Sequence, residues 1–235
     1  MLSKPLWGVI VAAGRGERTG ALRPKQYHPL AGRLVLDWAV DAMLQTPQLQ
    51  GLMLVLAEDD ETWQNSPLVN EARIHTTIGG MERSDSVIAG LRALQRSGAG
   101  DEDRVLIHDA ARPAVDVADI QRLIEAVGDD PQGGLLAVPV RDTLKRAGED
   151  ARAASTVDRR ALWQAMTPQL FPLGTLLDAL TASSDIAPTD ESQAMERAGW
   201  QPRLVEGSPQ NIKYTYPEDL AWLESIILNR KEARE

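Results

Sequence analysis

Short apolar runs alternate with amphipathic segments along most of this chain, and that alternation constrains its fold more than any single motif. Strands are expected at Trp7–Ala12, Leu52–Ala57, Arg73–Ile78, Arg104–His108, Gly134–Val138 and Asn211–Thr215. Helical patterns separate them at Val35–Leu44, Ser84–Arg96, Val117–Val127, Thr175–Ala182, Asp190–Ala198 and Pro217–Asn229. In the segment from Ser84, for example, Val87, Ile88, Leu91 and Leu94 fall on one face at helical spacing. Such alternation specifies an α/β fold with a mostly parallel twisted sheet, Rossmann-like, and helices on both faces. Ligands of these sheets sit at the carboxyl ends of the strands, near the point where strand order reverses. With 235 residues and 43% hydrophobic content, the chain can bury one large core or two small ones. We read residues 1–235 as one domain.

One stretch breaks the alternation. From Arg141 to Arg160 the sequence RDTLKRAGEDARAASTVDRR is highly charged and poor in core-forming residues. Composition alone permits a disordered loop. However, Gly148-Glu149-Asp150 marks a turn between two half-exposed strands, and Leu144 and Val157 anchor the ends. The reading adopted is a projecting hairpin arm, at about 139–161, that packs on another surface, a second subunit being one candidate.

The chemistry-bearing segment with the clearest signal is VAAGRGERTGALRPKQY, Val11 to Tyr27. Gly14, Gly16 and Gly20 interleave with Arg15, Arg18, Arg23 and Lys25, opposed only by Glu17. Glycines let backbone N–H groups approach a ligand closely, and clustered cations suit a polyanion. The whole chain carries a net charge of −9, so a local cluster of four cations against one acid is a focused feature. The same acidity argues against a nucleic-acid partner. No Gly-Lys-Ser/Thr follows, which excludes a Walker A loop, and Thr19 replaces the third glycine of a dinucleotide fingerprint. The chain has no cysteine, which removes disulfides and thiolate–zinc sites and fits a reducing compartment. No stretch reaches the length of a membrane span, so the expectation is a cytoplasmic protein without a membrane partner.

Other constellations lie downstream. VLIHDAARP delivers Asp109 at a strand end, where it either holds a divalent cation or caps the next helix, with Arg112 placed to take an anion. His108 reads as structural, because His28 and His75 lie far away in the sequence. In TIGGMERSDSV, Gly79-Gly80 permits close approach and Ser86 opens a helix, while Arg83 and Asp85 pair or cap there. This loop reads a base only if it folds over the same pocket as the first. Thr189 reads as a helix cap or a ligand contact, and Lys213, within the expected strand NIKYT, faces a cleft or the sheet edge.

The ordered set AAGRGER, PKQY, GGMERSDSV, HDAARP, PVRDT, TVDRRALW, TPQ, PTDES and VEGSPQNIKYTYPEDL spans Ala12 to Leu220. It resembles the 2-C-methyl-D-erythritol 4-phosphate cytidylyltransferases of non-mevalonate isoprenoid synthesis. The resemblance implies a nucleotidyltransferase fold that dimerises through the arm, with CTP and methylerythritol phosphate as substrates and Mg²⁺ or another divalent cation as cofactor. By motif position, Arg18 and Lys25 would stabilise the transition state at the α-phosphate. Ala12, Ala13, Gly14, Gly16, Gly80, Ser86 and Ala110 would line the nucleotide site. Asp109, Arg112, Thr167, Thr189 and Lys213 would hold methylerythritol phosphate, with Thr143 and Arg159 reaching over from a neighbouring arm; Arg159 and Lys213 also count as catalytic. Met81 departs from the family pattern beside the glycine pair, and Val11 replaces a proline before the Ala-Ala-Gly. A cytidylyltransferase for another polyol phosphate, such as ribitol 5-phosphate, or a non-catalytic nucleotide-binding module stays open at this point.

Overall fold

The computed structural model describes residues 2–14, 23–182 and 186–233. The chain starts with β1 (Leu6–Val11), followed by a single helical turn at Lys25–Tyr27 and the short hairpin β2 (Pro29–Leu30) and β3 (Arg33–Leu34). A regular alternation follows: α1 (Val35–Leu44), β4 (Leu49–Leu56), β5 (Ile74–Ile78), α2 (Arg83–Arg96), β6 (Arg104–Asp109), α3 (Val117–Val127) and β7 (Gly134–Pro139). The arm is β8 (Leu144–Ala147) and β9 (Ala153–Val157). The remaining elements are β10 (Trp163–Pro172), α4 (Leu173–Thr181), α5 (Glu191–Arg197), β11 (Arg203–Glu206) and α6 (Asp219–Glu232).

Among the described residues, seven strands form the main sheet in the order β11-β7-β10-β6-β1-β4-β5. Every pairing in it is parallel except those of β10, which runs antiparallel to both neighbours. Strand alternation splits the buried residues between two faces. Leu6 and Ile10 of β1 join α1 and α3 residues on one side, and Val9 joins α2 and α4 residues on the other. From β1 the order runs outward through β4 to β5, then resumes at β6 on the opposite side of β1. The strand order therefore reverses between β1 and β6, and a crevice forms above their carboxyl ends.

The arm has the expected form. Leu144 pairs with Val157 across an antiparallel ladder, and the Gly148 N–H closes the turn on the Arg152 carbonyl at 2.8 Å. Most of its residues are exposed.

The expected strand over Asn211–Thr215 does not form; the segment belongs to no ladder. Its alternating Ile212 and Tyr214 dock instead on α6 residues Leu223 and Ile227, and the Tyr214 N–H bonds to the Ala111 carbonyl at 2.8 Å. Burial of one apolar face, the signal read as a strand, is met here by a helix rather than by a neighbouring strand. Conversely, β10 was not anticipated. It contains Gln164, Gln169 and Pro168, and its register against β7 shifts between Ala165 and Gln169, around that proline. A residue without an N–H is tolerated in a sheet at such an irregularity.

Candidate functional site

The crevice over β1 and β6 collects most of the candidate residues. After β1 the chain continues as Ala12-Ala13-Gly14, and Gln26 holds its shape: Nε2 donates to the Ala12 carbonyl at 2.6 Å and to the Gly14 carbonyl at 3.1 Å. Gln26 is buried on the same helical turn that carries half-buried Lys25. Gly16 and Arg18 lie outside the described residues. The loop of Gly79 and Gly80 does fold over this pocket. A methyl group at Gly79 would lie 2.6 Å from Ala13 Cβ and 2.7 Å from Ser86 Oγ, so only glycine permits the approach. The Gly80 N–H donates to Ser86 Oγ at 3.2 Å, and Asp85 accepts from the Glu82 N–H. Next to Ala13 and Gly14 opens a cleft of about 310 Å³, bounded also by Pro24, Gln26, Asp59 and Asp60. On its Ala13–Gly14 side the small residues leave backbone open to a ligand, as a nucleotide phosphate requires.

The opposite wall is built around Asp109, buried at the end of β6. Arg83 contacts its Oδ1 through Nε at 3.0 Å and Nη2 at 2.9 Å, and Lys213 Nζ contacts Oδ2 at 2.6 Å. Burial alone would raise the Asp109 carboxyl, but the Arg83 and Lys213 charges outweigh it and hold it well below the usual carboxylate range. Arg83 in turn meets Glu191 at 2.6 and 3.1 Å through Nη1 and Nη2. Burial opposes the Arg83 charge, while Glu191 and Asp109 together raise its pKa. Lys213, expected in a strand facing a cleft or the sheet edge, lies instead in a segment outside any ladder and reaches the carboxyl end of β6 through Asp109.

Behind Asp109 lies a closed set of hydrogen bonds. The Asp109 N–H donates to Thr167 Oγ1 at 3.1 Å, and the Thr167 hydroxyl meets His108 Nδ1 at 3.0 Å. His108 Nε2 lies 3.2 Å from the Arg112 carbonyl. A carbonyl only accepts, so Nε2 carries the proton, and since burial keeps the ring neutral, Nδ1 accepts from the Thr167 hydroxyl. Burial pushes its pKa down to about 4. The structural reading of His108 therefore stands. Arg112 Nη1 donates to the Asn211 carbonyl at 2.6 Å, and Asn211 Nδ2 to the Thr167 carbonyl at 2.8 Å. Thr167 and Arg112 are thus engaged in bracing the wall.

Thr189 is not the cap of α5. That role falls to Asp190, whose side chain accepts from the Gln193 N–H at 2.9 Å, leaving the exposed Thr189 beside the helix start. Ala110, following Asp109, is buried. Thr143 and Arg159 are exposed at the base of the arm, both beside the Leu144–Val157 pair that opens its ladder. No hydrogen bond or ion pair within the chain links them to Asp109, Lys213 or Thr189 among the described residues. Sequence reasoning missed Gln26, Glu191 and Asn211, and left Arg83 as a local pair. Glu191, Asn211 and Arg83 act on partners at least 26 residues away, and Gln26 on backbone carbonyls 12 and 14 residues back, contacts that no local pattern announces.

A divalent cation at Asp109 does not fit this geometry. Two protein cations, Arg83 and Lys213, already neutralise the carboxylate and would repel a third cation, and no three His, Cys, Asp or Glu side chains converge on a common point among the described residues.

A doubly wound α/β sheet, with a glycine cradle facing a cation-rich wall across its switch point, defines a nucleotide-dependent transferase of the nucleotidyltransferase kind. The family model for 2-C-methyl-D-erythritol 4-phosphate cytidylyltransferase matches residues 6–229. A protein of that name from Ectopseudomonas mendocina is 49% identical over 235 residues, covering 99% of this chain and 100% of the relative. One from Pseudomonas entomophila is 52% identical over 227 residues, covering 96% and 97%. A crystal structure of 4-diphosphocytidyl-2C-methyl-D-erythritol synthase superposes with a TM-score of 0.85 at 33% identity, covering 96% of this chain and 100% of the other. The Francisella tularensis cytidylyltransferase structure gives 0.80 at 31%, covering 95% and 100%. The chain belongs to the 2-C-methyl-D-erythritol 4-phosphate cytidylyltransferase family.

Proposed function

We propose that this cleft carries out the reaction for which its family is named. It transfers the cytidylyl group of CTP to 2-C-methyl-D-erythritol 4-phosphate, giving 4-diphosphocytidyl-2-C-methyl-D-erythritol and pyrophosphate for isoprenoid synthesis. A phosphate monoester has its second pKa near 6, so at neutral pH it is largely a dianion and needs no general base. Its oxygen attacks the α-phosphorus in line, the new P–O bond forms, and the bond to the β-phosphate breaks with pyrophosphate as leaving group. The barrier is electrostatic, because one anion approaches another. Lys25 beside the cradle and Arg18 stabilise the charge that develops. Ala12, Ala13, Gly14, Gly16, Gly80, Ser86 and Ala110 receive the nucleotide.

The observation that carries the reading is the wall opposite the cradle: an ionised Asp109 held between Arg83 and Lys213 at the strand-order reversal. In this reading Asp109 accepts hydrogen bonds from the polyol, Lys213 and Thr189 attract the phosphate end, and Thr167 and Arg112 keep the wall in place. The exposed arm pairs with a second copy of the chain, whose Thr143 and Arg159 complete the polyol site and make the enzyme a homodimer. A divalent cation such as Mg²⁺ would be held by the phosphates of CTP, whose charge it would offset, rather than by Asp109. No helix among the described residues is long and apolar enough to cross a membrane, in keeping with a cytoplasmic site of action. Pyrophosphate release, assayed with CTP and either methylerythritol phosphate or ribitol 5-phosphate, tests the reading. Turnover with the first and not the second is expected; the reverse would assign the polyol wall to another substrate.

A further inference from the structure

Glu191 is the first residue of α5 and is 0% exposed, and Arg83 is the first residue of α2. These residues are 108 apart in sequence, yet one guanidinium binds both Glu191 oxygens and Asp109 Oδ1. Such a pair is costly to bury, and apolar side chains of similar volume are often at least as stabilising. Stability alone does not account for it. A bidentate carboxylate does fix the plane of a guanidinium, whose fork geometry is rigid. Here the fixed plane aims the Nε–Nη2 edge at Asp109 Oδ1, while Lys213 takes Oδ2. With both oxygens held, the carboxylate cannot rotate about its χ2 axis.

We propose that Glu191 and Arg83 are a positioning couple for catalysis: Glu191 orients Arg83, and Arg83 sets the rotation of the Asp109 carboxylate that meets the polyol. Neither touches substrate. The inference rests on the assignment of Asp109 to the polyol wall. It also explains why the helix start that carries Thr189 is tied to the same acid: the acid and Thr189 then face the polyol from fixed, mutually referenced positions.

Steady-state kinetics with each substrate varied in turn provide the test, on three variants: Asp109→Asn, Glu191→Gln, and the double variant Arg83→Met with Glu191→Leu. The expected result is a KM for methylerythritol phosphate raised roughly tenfold in all three, the loss of one charge-assisted hydrogen bond, with the KM for CTP little changed. The apolar double variant removes both charges of the Arg83–Glu191 pair, and its melting point, read beside its KM values, separates the kinetic effect from unfolding. If it does not fold, the conservative Glu191→Gln variant carries the same KM comparison. A double variant or a Glu191→Gln enzyme with an unchanged methylerythritol phosphate KM, or with both KM values raised equally, overturns the couple. If Asp109→Asn raises that KM and the others do not, only the couple fails. If Asp109→Asn does not raise it, the polyol assignment of Asp109 fails and the couple with it.

Discussion

Acidification from pH 7.5 to 5 should destabilise this enzyme through His108. In the unfolded chain a histidine titrates near 6.5, whereas burial holds folded His108 at about 4. Its folded pKa is depressed, so its contribution is complete above the unfolded value and is lost as the pH falls toward the folded one. Between the two, the unfolded chain binds a proton that the folded chain refuses. Linkage over pH 7.5 to 5 then gives a loss of about 2 kcal/mol from this one group. Asp109 does not blur the window. Its folded pKa is depressed below the ordinary carboxylate range, so its contribution is present above that range and is lost only in stronger acid. The assay is the urea unfolding free energy at pH 7.5 and pH 5 for the wild type and His108→Asn. The amide keeps one acceptor for Thr167 and one donor for the Arg112 carbonyl but does not titrate. His108→Asn should be the less stable protein at pH 7.5, and the gap should close by about 2 kcal/mol at pH 5. Parallel losses in the two proteins would refute the neutral, Nε2-protonated assignment. The effect reaches the site's back wall, because a proton on Nδ1 would reverse the bond to Thr167 and leave the Thr167 hydroxyl proton to find another acceptor.

Three further outcomes are expected. Lys213→Met removes the 2.6 Å bond to Asp109 Oδ2, worth about 1.5–3 kcal/mol as a charge-assisted bond; the KM for methylerythritol phosphate should rise tenfold or more, and an equal rise for CTP would count against the wall assignment. Gln26→Leu leaves the Ala12 and Gly14 carbonyls without their donor, at about 1–3 kcal/mol for the buried one; calorimetric titration should show weaker CTP binding, and wild-type affinity would remove Gln26 from the cradle. Arg159→Ala should raise the KM for methylerythritol phosphate and not that for CTP, with sedimentation still showing a dimer; a fully active monomer would end the arm's role in the site.

Local signals made most of the scaffold legible. The α1 and α3 patterns coincide with the observed Val35–Leu44 and Val117–Val127 helices, because each buries a helical stripe on one sheet face. The arm was legible from Gly148-Glu149-Asp150 and its two apolar anchors. β10 was not, since a strand interrupted by Pro168 and two glutamines has neither the apolar run nor the alternation of an isolated strand. Asn211–Thr215 misled for the opposite reason: one-sided burial looks the same in sequence whether a strand or a helix covers it.

The sequence by itself determined the α/β class, the glycine cradle, the acid at the end of β6 and the family motifs, because each is written within a few consecutive residues or in their order. Only the tertiary structure decided which charges meet. Arg83, local in sequence to Asp85, spends itself on Asp109 and Glu191, and Lys213 crosses 104 residues to reach Asp109. Electrostatic partners are chosen by distance and burial in space, and the strand-order reversal between β1 and β6 brings those distant residues together around one carboxylate.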